Sequence, residues 1–376
     1  MTRKQYVIFF MVLSLLLVSF LTSRTAPVSG QTSSTNSVYL PVIRNPPEPP
    51  VWIGPDGGSI ISIDVADSDP LIVYAGTGGS GVYKSTDGGM TWVWKSEGMA
   101  HRSIYSIAVD PQNPRIAYAG TYTDKVFKTV NGGESWFQSS TNIQDQAIVY
   151  SIVIDPIDSD KVFIGTRGVS NNGGPPWNGV LYRSTDEGVS WVPVLTNVGG
   201  PFQEDWAYAV TLHPKNPNLV FAATHEHGIY RSKNSGKNWE AVNNGIDDGI
   251  TTMSTRGIVV NPNSSETRSI VYTGVWKYEG VFRSNDSGEF WFPVDNGSAG
   301  TRIYSMSINP KNSNIVFAAT LSGGVLKTSN GGESWKISGL ADYEIPITAI
   351  DPQNPQLVYA GTIGHGLYKS HDTGET

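Results

Sequence analysis

Three tryptophans of this sequence lie outside its regular pattern, in segments predicted to be loops: Trp177, Trp206 and Trp276. Four polar residues in the same loops could orient a ligand, and they are Arg167, His225, His227 and Tyr278. Aromatic rings stack on flat apolar surfaces while neighbouring polar groups fix orientation, which is the chemistry of a sugar- or peptide-binding cleft. The sequence therefore predicts ligand binding by these seven residues. The alternative is that the rings support only loop packing.

Six carboxylates fall on the same predicted loop face and could act as acid or base. They are Glu204, Asp205, Glu226, Asp247, Asp248 and Glu279. Inverting glycoside hydrolysis needs two carboxyl groups about 6.5–9.5 Å apart, but no motif selects a pair from this set. The sequence therefore assigns no catalytic residue and leaves open whether the protein is an enzyme.

His225 and His227 stand two positions apart on an extended stretch and could point the same way toward a metal ion. Structural and catalytic metal sites need at least three protein ligands, and no third ligand follows from spacing. We therefore predict no metal site and no cofactor.

A second aromatic set recurs at one position of the first strand of successive repeats. Its members are Tyr105, Tyr150, Tyr208 and Tyr304, with Arg256 at the same position of the fifth repeat. We expect these residues to surround the mouth of a central channel, although packing alone would also explain them.

The elements that position these residues follow from a short turn that occurs seven times. Six copies are complete: Ser85–Trp92, Thr129–Trp136, Ser184–Trp191, Ser232–Trp239, Ser284–Trp291 and Thr328–Trp335. The seventh copy is Ser370–Thr376, and successive copies start 42 to 55 residues apart. This period is typical of a propeller blade.

Each repeat predicts four antiparallel strands, which we name A to D. Alternating apolar runs bounded by Asp-Pro, Asn-Pro and Gly-Gly indicate short strands and tight turns, and the 41 Gly and 23 Pro agree with this. Four-stranded units repeated radially form a β-propeller. We therefore predict an all-β fold with seven blades over residues 51–376.

The repeated turn resembles the Asp-box, or BNR repeat, S-x-D-x-G-x-T-W, and the resemblance extends over the whole predicted propeller. It implies that the polar side chains hold the C–D turn, that the Gly adopts a backbone angle other residues resist, and that the Trp is buried between blades. The residues given this structural role are Ser85, Asp87, Gly89, Trp92, Asn131, Trp136, Asp186, Trp191, Asn234, Trp239, Asp286, Trp291, Asn330, Trp335 and Asp372. None of them is predicted to be catalytic.

The last repeat lacks a D strand and a box tryptophan. Trp52 in Val51–Gly54 precedes the first A strand without a partner, so we predict that this N-terminal strand closes blade 7 and that Trp52 supplies the seventh box ring. The alternative is that the sequence is truncated at Thr376.

The N-terminus predicts export. Arg3 and Lys4 precede an uncharged apolar run over residues 6–21, followed by small and polar residues, which is the layout of a signal peptide over residues 1–30. Residues 31–50 predict a low-complexity, Pro-rich stalk. Without cysteine there is neither a disulfide framework nor a lipid-modified Cys, which suits a bacterial secreted or envelope protein. Membrane attachment is expected only if the apolar run stays as an anchor.

The charge of the chain limits its partners. A net charge of −7, with 16% charged residues, disfavours nucleic-acid binding because phosphates would be repelled. We expect a monomer whose loop face binds a protein or a polysaccharide.

Three groups of Asp-box propellers resemble the chain to different degrees. Sialidases are usually six-bladed, so that resemblance is poor. Xyloglucanase-type glycoside hydrolases have a similar repeat but pair two propellers around the cleft, whereas one is predicted here. Sortilin-type and photosystem II assembly factor-like propellers resemble it in blade number. The resemblance favours an extracytoplasmic binding, interaction or assembly module, with a xyloglucanase-like hydrolase as the alternative.

Overall fold

The computed structural model describes residues 51–52, 54, 58–167, 180–196, 198, 206–246, 254–276, 280–298 and 300–376. The predicted signal peptide and stalk lie outside this part of the chain. The described residues form 28 β-strands in seven four-stranded antiparallel sheets and contain no helix. No apolar helix of membrane-spanning length occurs among them. The fold is the predicted seven-bladed β-propeller.

Blades 1 to 4 follow in chain order after the first strand, β1 (Val51–Trp52). Blade 1 contains β2 (Ile60–Val65), β3 (Val73–Thr77), β4 (Val82–Ser85) and β5 (Val93–Trp94). Blade 2 contains β6 (Ile104–Val109), β7 (Ala117–Thr121), β8 (Val126–Thr129) and β9 (Phe137–Gln138). Blade 3 contains β10 (Ile148–Ile154), β11 (Val162–Arg167), β12 (Leu181–Ser184) and β13 (Val192–Leu195). Blade 4 contains β14 (Ala207–His213), β15 (Asn216–Thr224), β16 (Ile229–Ser232) and β17 (Glu240–Ala241).

Blades 5 to 7 complete the circle. Blade 5 contains β18 (Thr255–Val260), β19 (Val271–Val275), β20 (Gly280–Ser284) and β21 (Trp291–Pro293). Blade 6 contains β22 (Ile303–Ile308), β23 (Val316–Thr320), β24 (Val325–Thr328) and β25 (Lys336–Gly339). Blade 7 contains β26 (Ile347–Ile350), β27 (Val358–Gly361) and β28 (Leu367–Ser370), with β1 as its outer strand.

The predicted closure by the N-terminal strand is confirmed. The prediction that Trp52 takes the place of a box tryptophan is wrong, because the strand register puts Trp52 at another position. Val51 pairs with Lys369 and Trp52 with Tyr368, just as Val93 pairs with Lys84 and Trp94 with Tyr83. Trp52 therefore occupies the D-strand position of Trp94, two residues beyond that of the box residue Trp92.

The box turns use their polar residues as predicted. In blade 1, Ser85 Oγ donates to Asp87 Oδ1 (2.7 Å) and accepts from Gly89 N–H, whose φ is +87°, while Asp87 Oδ1 also accepts from Thr91 N–H (2.9 Å). Burial alone would raise the pKa of Asp87, but hydrogen bonds from Thr91 and Ser85 outweigh it and lower this pKa to about 2. The carboxylate thus holds the turn.

Each blade also reaches the box of the next blade through a cation on strand C. In all seven cases the cation donates to the backbone carbonyl at the fourth box position, over 2.5 to 2.8 Å. The cations are Lys84, Lys128, Arg183, Arg231, Arg283, Lys327 and Lys369. A charged donor to a shielded carbonyl is a strong hydrogen bond. This set was not predicted, although a Lys or Arg precedes the first residue of every box.

Candidate functional site

The channel mouth is built by a β-bulge that recurs in the inner strands. In six blades the register of strand A slips after its first or second residue, so that one or two residues are skipped in the pairing with strand B. The skipped residues include Ile61, Tyr105, Tyr150, Tyr208, Arg256 and Tyr304. A bulge turns an unpaired residue out of the ladder, and bulges commonly occur beside binding sites. The four tyrosines and Arg256 therefore line the channel, as predicted.

The cavity at this mouth has a volume of about 480 Å³ and two unlike sides. Blades 2 to 6 contribute the tyrosines and Arg256, whereas blades 7 and 1 contribute Ile61, Ile63, Pro346, Ile347 and Ile363. The first group can make polar and cation–π contacts, whereas blades 7 and 1 present mostly apolar side chains, with Ser62 and Glu344 also in the lining. Such a lining suits a ligand with one polar and one apolar part.

Arg256 lies between two aromatic rings on the polar side of the cavity, those of Tyr208 and Trp276. Its guanidinium carbon lies 4.3 Å from the ring centre of Tyr208 and 3.9 Å from that of Trp276, and Nη2 donates to Tyr208 Oη (3.1 Å). Burial raises the pKa of Tyr208 to about 12 despite the neighbouring Arg256, so the phenol stays neutral. The half-buried guanidinium is held in place by the rings, and its Nε has no hydrogen-bond partner among the described residues.

Trp206 lies in the mouth but is covered by its neighbours. The ring of His225 stacks on it at 4.1 Å, and the guanidinium carbon of Arg167 lies 4.3 Å from its ring centre. Two planar groups this close to one ring must lie on opposite faces, since they would otherwise overlap. Trp206 also contacts Tyr150 and Tyr208 at 6.2 and 5.6 Å between ring centres.

Trp276 is similarly engaged. Arg256 lies over its ring, Arg302 lies 5.4 Å from its centre, and Tyr304 packs beside it at 5.2 Å. Both indoles therefore pack against arginines, and Trp206 also against His225. Arg302, which is exposed, was not among the predicted site residues, although it stands two positions before Tyr304.

The described carboxylates at this face, Glu226 and Glu344, also contact neighbouring side chains. Glu226 Oε1 lies 3.7 Å from His225 Nδ1, and Glu344 Oε1 accepts from Tyr304 Oη (2.8 Å). Burial, and after it Glu344, raises the pKa of Tyr304. The backbone carbonyl of His227 accepts from Asn243 Nδ2 (3.1 Å). Among described residues, no three His, Cys, Asp or Glu side chains converge as metal ligands.

Seven of the predicted candidates lie outside the described residues. They are Trp177, Glu204, Asp205, Asp247, Asp248, Tyr278 and Glu279. The described candidates Arg167, Trp206, His225, Glu226 and Trp276 lie around Tyr150, Tyr208 and Tyr304, so these loop residues adjoin the channel mouth.

Comparisons with known proteins bear on the fold. No protein-family profile matches the chain. A xyloglucanase of Acetivibrio thermocellus is 28% identical over 165 residues, covering 39% of this chain and 20% of its own length. A xyloglucanase of Hypocrea jecorina is 29% identical over 161 residues, covering 38% and 18%. The matched part thus spans about a fifth of these curated relatives.

Solved structures cover more of the chain at lower identity. An ancestral GH74 enzyme superposes with a TM-score of 0.68 at 19% identity, covering 86% of this chain and 46% of its own. The structure of YCF48 bound to D1 peptide superposes with a TM-score of 0.57 at 14% identity, and the match covers 85% of this chain and 95% of YCF48. The extracellular domain of a proposed one-component system of B. thetaiotaomicron superposes with a TM-score of 0.62 at 14% identity. This match covers 85% of this chain and 39% of the other. The chain is thus a seven-bladed β-propeller that resembles the propeller domains of GH74 xyloglucanases.

Proposed function

We propose that the protein is an extracytoplasmic binding module that holds an anionic group of its ligand at the channel mouth. The observation that carries this proposal is the position of Arg256, which lines the cavity and lies over Trp276, with Arg167 over Trp206 and Arg302 near Trp276 beside it. Guanidinium groups fixed on aromatic rings are preorganised to bind carboxylate or similar anions, so little side-chain entropy is lost on binding.

The ligand class follows from the covered indoles. A neutral glucan would need open aromatic faces, whereas Trp206 and Trp276 are already packed against arginines and His225. In a chain of net charge −7, three arginines near one cavity concentrate positive charge there, although Glu344 also lines the cavity. An acidic polysaccharide or an acidic protein segment fits this site best. The predicted signal peptide and the extracellular structural neighbour support the location outside the cytoplasm.

The test is binding of acidic and neutral polysaccharides and peptides by calorimetry, followed by variants of the arginines. We expect Arg256→Met and Arg302→Met to weaken binding of an acidic ligand by at least tenfold each, since each removes a charge-assisted contact. Arg268→Met is the matched control, because Arg268 is exposed on the box side, where it donates to the Asn285 carbonyl. Equal loss in all three variants, or unchanged affinity in the first two, contradicts the proposal.

A second function, hydrolysis of a β-glucan, is supported by the partial sequence match to xyloglucanases. The described mouth carboxylates Glu226 and Glu344 are engaged by His225 and Tyr304, which does not favour an acid and base pair there. Release of reducing ends from xyloglucan by the purified chain would establish this alternative, and its loss in Glu226→Gln and Glu344→Gln would assign the residues.

A further inference from the structure

Two exposed aromatic rings lie on the loop face of blades 1 and 2, beside the channel mouth. Trp94 ends β5 and is 38% exposed, and Tyr122 follows β7 and is 44% exposed. Neither ring was among the predicted ligand-binding residues. Their contacts connect them with each other and with the cavity at the mouth.

Tyr122 extends the aromatic lining of the cavity outward. Its ring stacks on that of Tyr105, with 5.6 Å between ring centres and 29° between ring planes, and Tyr105 lines the cavity. Since one face of the Tyr122 ring packs on Tyr105, its exposed area belongs to the other face and to the ring edges. A ligand that leaves the cavity over blade 2 therefore meets a second aromatic ring.

Trp94 is held beside an arginine at the outer end of the same region. Its Nε1 donates to the Ser80 carbonyl (2.9 Å), which fixes the indole against the loop between β3 and β4. The guanidinium carbon of Arg102 lies 5.3 Å from the centre of the Trp94 ring. Arg102 is exposed and has no ion-pair partner in the described part of the chain. Its charge is therefore available to a ligand.

The segment that carries Arg102 is fixed between the loops of blades 1 and 2. The Arg102 carbonyl accepts from Gly81 N–H (2.8 Å), and Ser103 Oγ donates to the Gly78 carbonyl (2.9 Å). The Ser103 carbonyl accepts from Tyr122 N–H (3.2 Å). Tyr122, Arg102 and Trp94 thus follow one another from the cavity outward on a hydrogen-bonded support.

We propose that these three residues, the outer strip, bind further sugar units of a polysaccharide that carries carboxylates on its sugar rings. One acidic unit is held by Arg256 at the channel mouth, so the inference rests on the function proposed for that mouth and selects one ligand class for it. Tyr122 stacks on the flat face of a sugar ring, and Arg102 pairs with the carboxylate of a later unit.

An acidic protein segment fits the outer strip less well. An extended peptide is usually bound through backbone hydrogen bonds, as if it were an added strand. The carbonyls of Arg102 and Ser103 are already paired with Gly81 and Tyr122 of the protein itself. The strip therefore offers rings and a charge, which suit a sugar chain, and lacks a free backbone edge for a peptide.

The probes are galacturonic acid, its linear hexamer and hexaglutamate, with binding to the full chain measured by calorimetry. We expect the hexamer to bind at least about 30-fold more tightly than the monomer, which exceeds the statistical advantage of six acidic groups. A hexamer without that advantage overturns the outer strip. Tighter binding of hexaglutamate than of the hexamer overturns the polysaccharide class. No binding of any probe overturns both the strip and the function of the mouth.

Arg102→Met separates the strip from the mouth. The variant keeps the backbone bond to Gly81 and should weaken hexamer binding about tenfold, since one charge-assisted contact is lost, with monomer binding unchanged. Arg256→Met should weaken binding of both probes. Arg115→Met is the matched control, because Arg115 is exposed at the turn between β6 and β7 on the box side, where its carbonyl accepts from Gly132 N–H (2.8 Å).

Each pattern of affinities has one meaning. Equal losses in Arg102→Met and Arg115→Met show an effect of net charge alone and contradict the strip. Full hexamer affinity in Arg102→Met, with a loss in Arg256→Met, contradicts the strip and leaves the mouth as proposed.

A second pair of variants tests the stacking surface. Tyr122→Ala should weaken hexamer binding more than monomer binding, whereas Tyr122→Phe, which keeps the ring, should retain the affinity of the wild type. Equal hexamer affinity in folded Tyr122→Ala and Tyr122→Phe shows that no sugar unit stacks there, and it overturns the strip.

Discussion

Asp64 is a carboxylate whose ionisation is strongly altered by the fold. It lies half-buried on the inner strand β2, where Oδ2 accepts from Val109 N–H of blade 2 (2.7 Å). Burial raises the pKa of Asp64 to about 7, against the opposing hydrogen bond from Val109 and with a further contribution from Asp67. The mouth arginines lie at the other end of the inner strands and do not offset this effect.

We predict that stability falls as pH rises from about 4 through about 7. The folded state holds the Asp64 proton more tightly than the unfolded chain, so deprotonation above pH 7 costs at most about 4 kcal/mol of unfolding free energy. Asp64→Asn can still accept from Val109 and should be more stable than wild type at pH 8 and comparable at pH 4. Urea unfolding at both pH values measures this, and an equal difference at both would refute it.

At the scale of the element, the strand C cations join each blade to the next. Lys369 is the member at the blade 7 to blade 1 junction, where Nζ donates to the Gly88 carbonyl (2.7 Å) and lies 5.2 Å from the ring centre of Tyr359. Tyr359 Oη donates to the same carbonyl (2.9 Å). At the junction that closes the circle, one box carbonyl of blade 1 therefore accepts from two donors of blade 7.

We predict that Lys369→Met lowers the free energy of unfolding by about 1–2 kcal/mol, because one charged donor is lost while Tyr359 still satisfies the carbonyl. Lys95→Met is the control, since its ion pair with Glu134, which is 65% exposed, contributes little. Chemical denaturation measures the free energy of unfolding of both variants. Similar losses would show that the buried hydrogen bond of Lys369 contributes no more to stability than the exposed ion pair of Lys95.

The register of β1 yields a prediction for Trp52. Because Trp52 matches Trp94 and not a box tryptophan, Trp52→Ala should lower the Tm about as much as Trp94→Ala, where the ring is 38% exposed. Trp136→Ala removes a ring that is 3% exposed and should cost about 3–5 kcal/mol. Thermal unfolding of the three variants measures these losses of stability. If Trp52→Ala lowers the Tm as much as Trp136→Ala, Trp52 has the role of a box tryptophan after all.

At the scale of the whole molecule, β1 is the strand that joins the two ends of the propeller. Without it, β28 becomes an unpaired edge, which weakens the last blade and invites association. We predict that a chain starting at residue 58 has a Tm several degrees lower than a chain starting at residue 46, and aggregates on heating. Calorimetry and light scattering of both chains test this, and identical melting would mean that closure through β1 contributes nothing.

Local pattern was enough to predict the architecture. The four-stranded unit is predicted directly by the box turn, the Asp-Pro and Asn-Pro corners and the alternating strands. These signals suffice because turn chemistry and strand alternation act over a few residues. Seven such turns therefore predicted seven blades, and the unpaired segment at Val51 predicted closure of the last one. The recurring position of Tyr105 likewise predicted the channel mouth.

Tertiary structure decided what depends on contacts between distant residues. The sequence could not show that His225 and Arg167 cover Trp206, nor that Arg256 lies between Tyr208 and Trp276, since these pairs come from different loops and strands. The register that separates Trp52 from the box tryptophans also depends on pairing across more than 300 residues. Composition and spacing determined the blades, whereas the packing of one blade against the next determined which aromatic rings could meet a ligand.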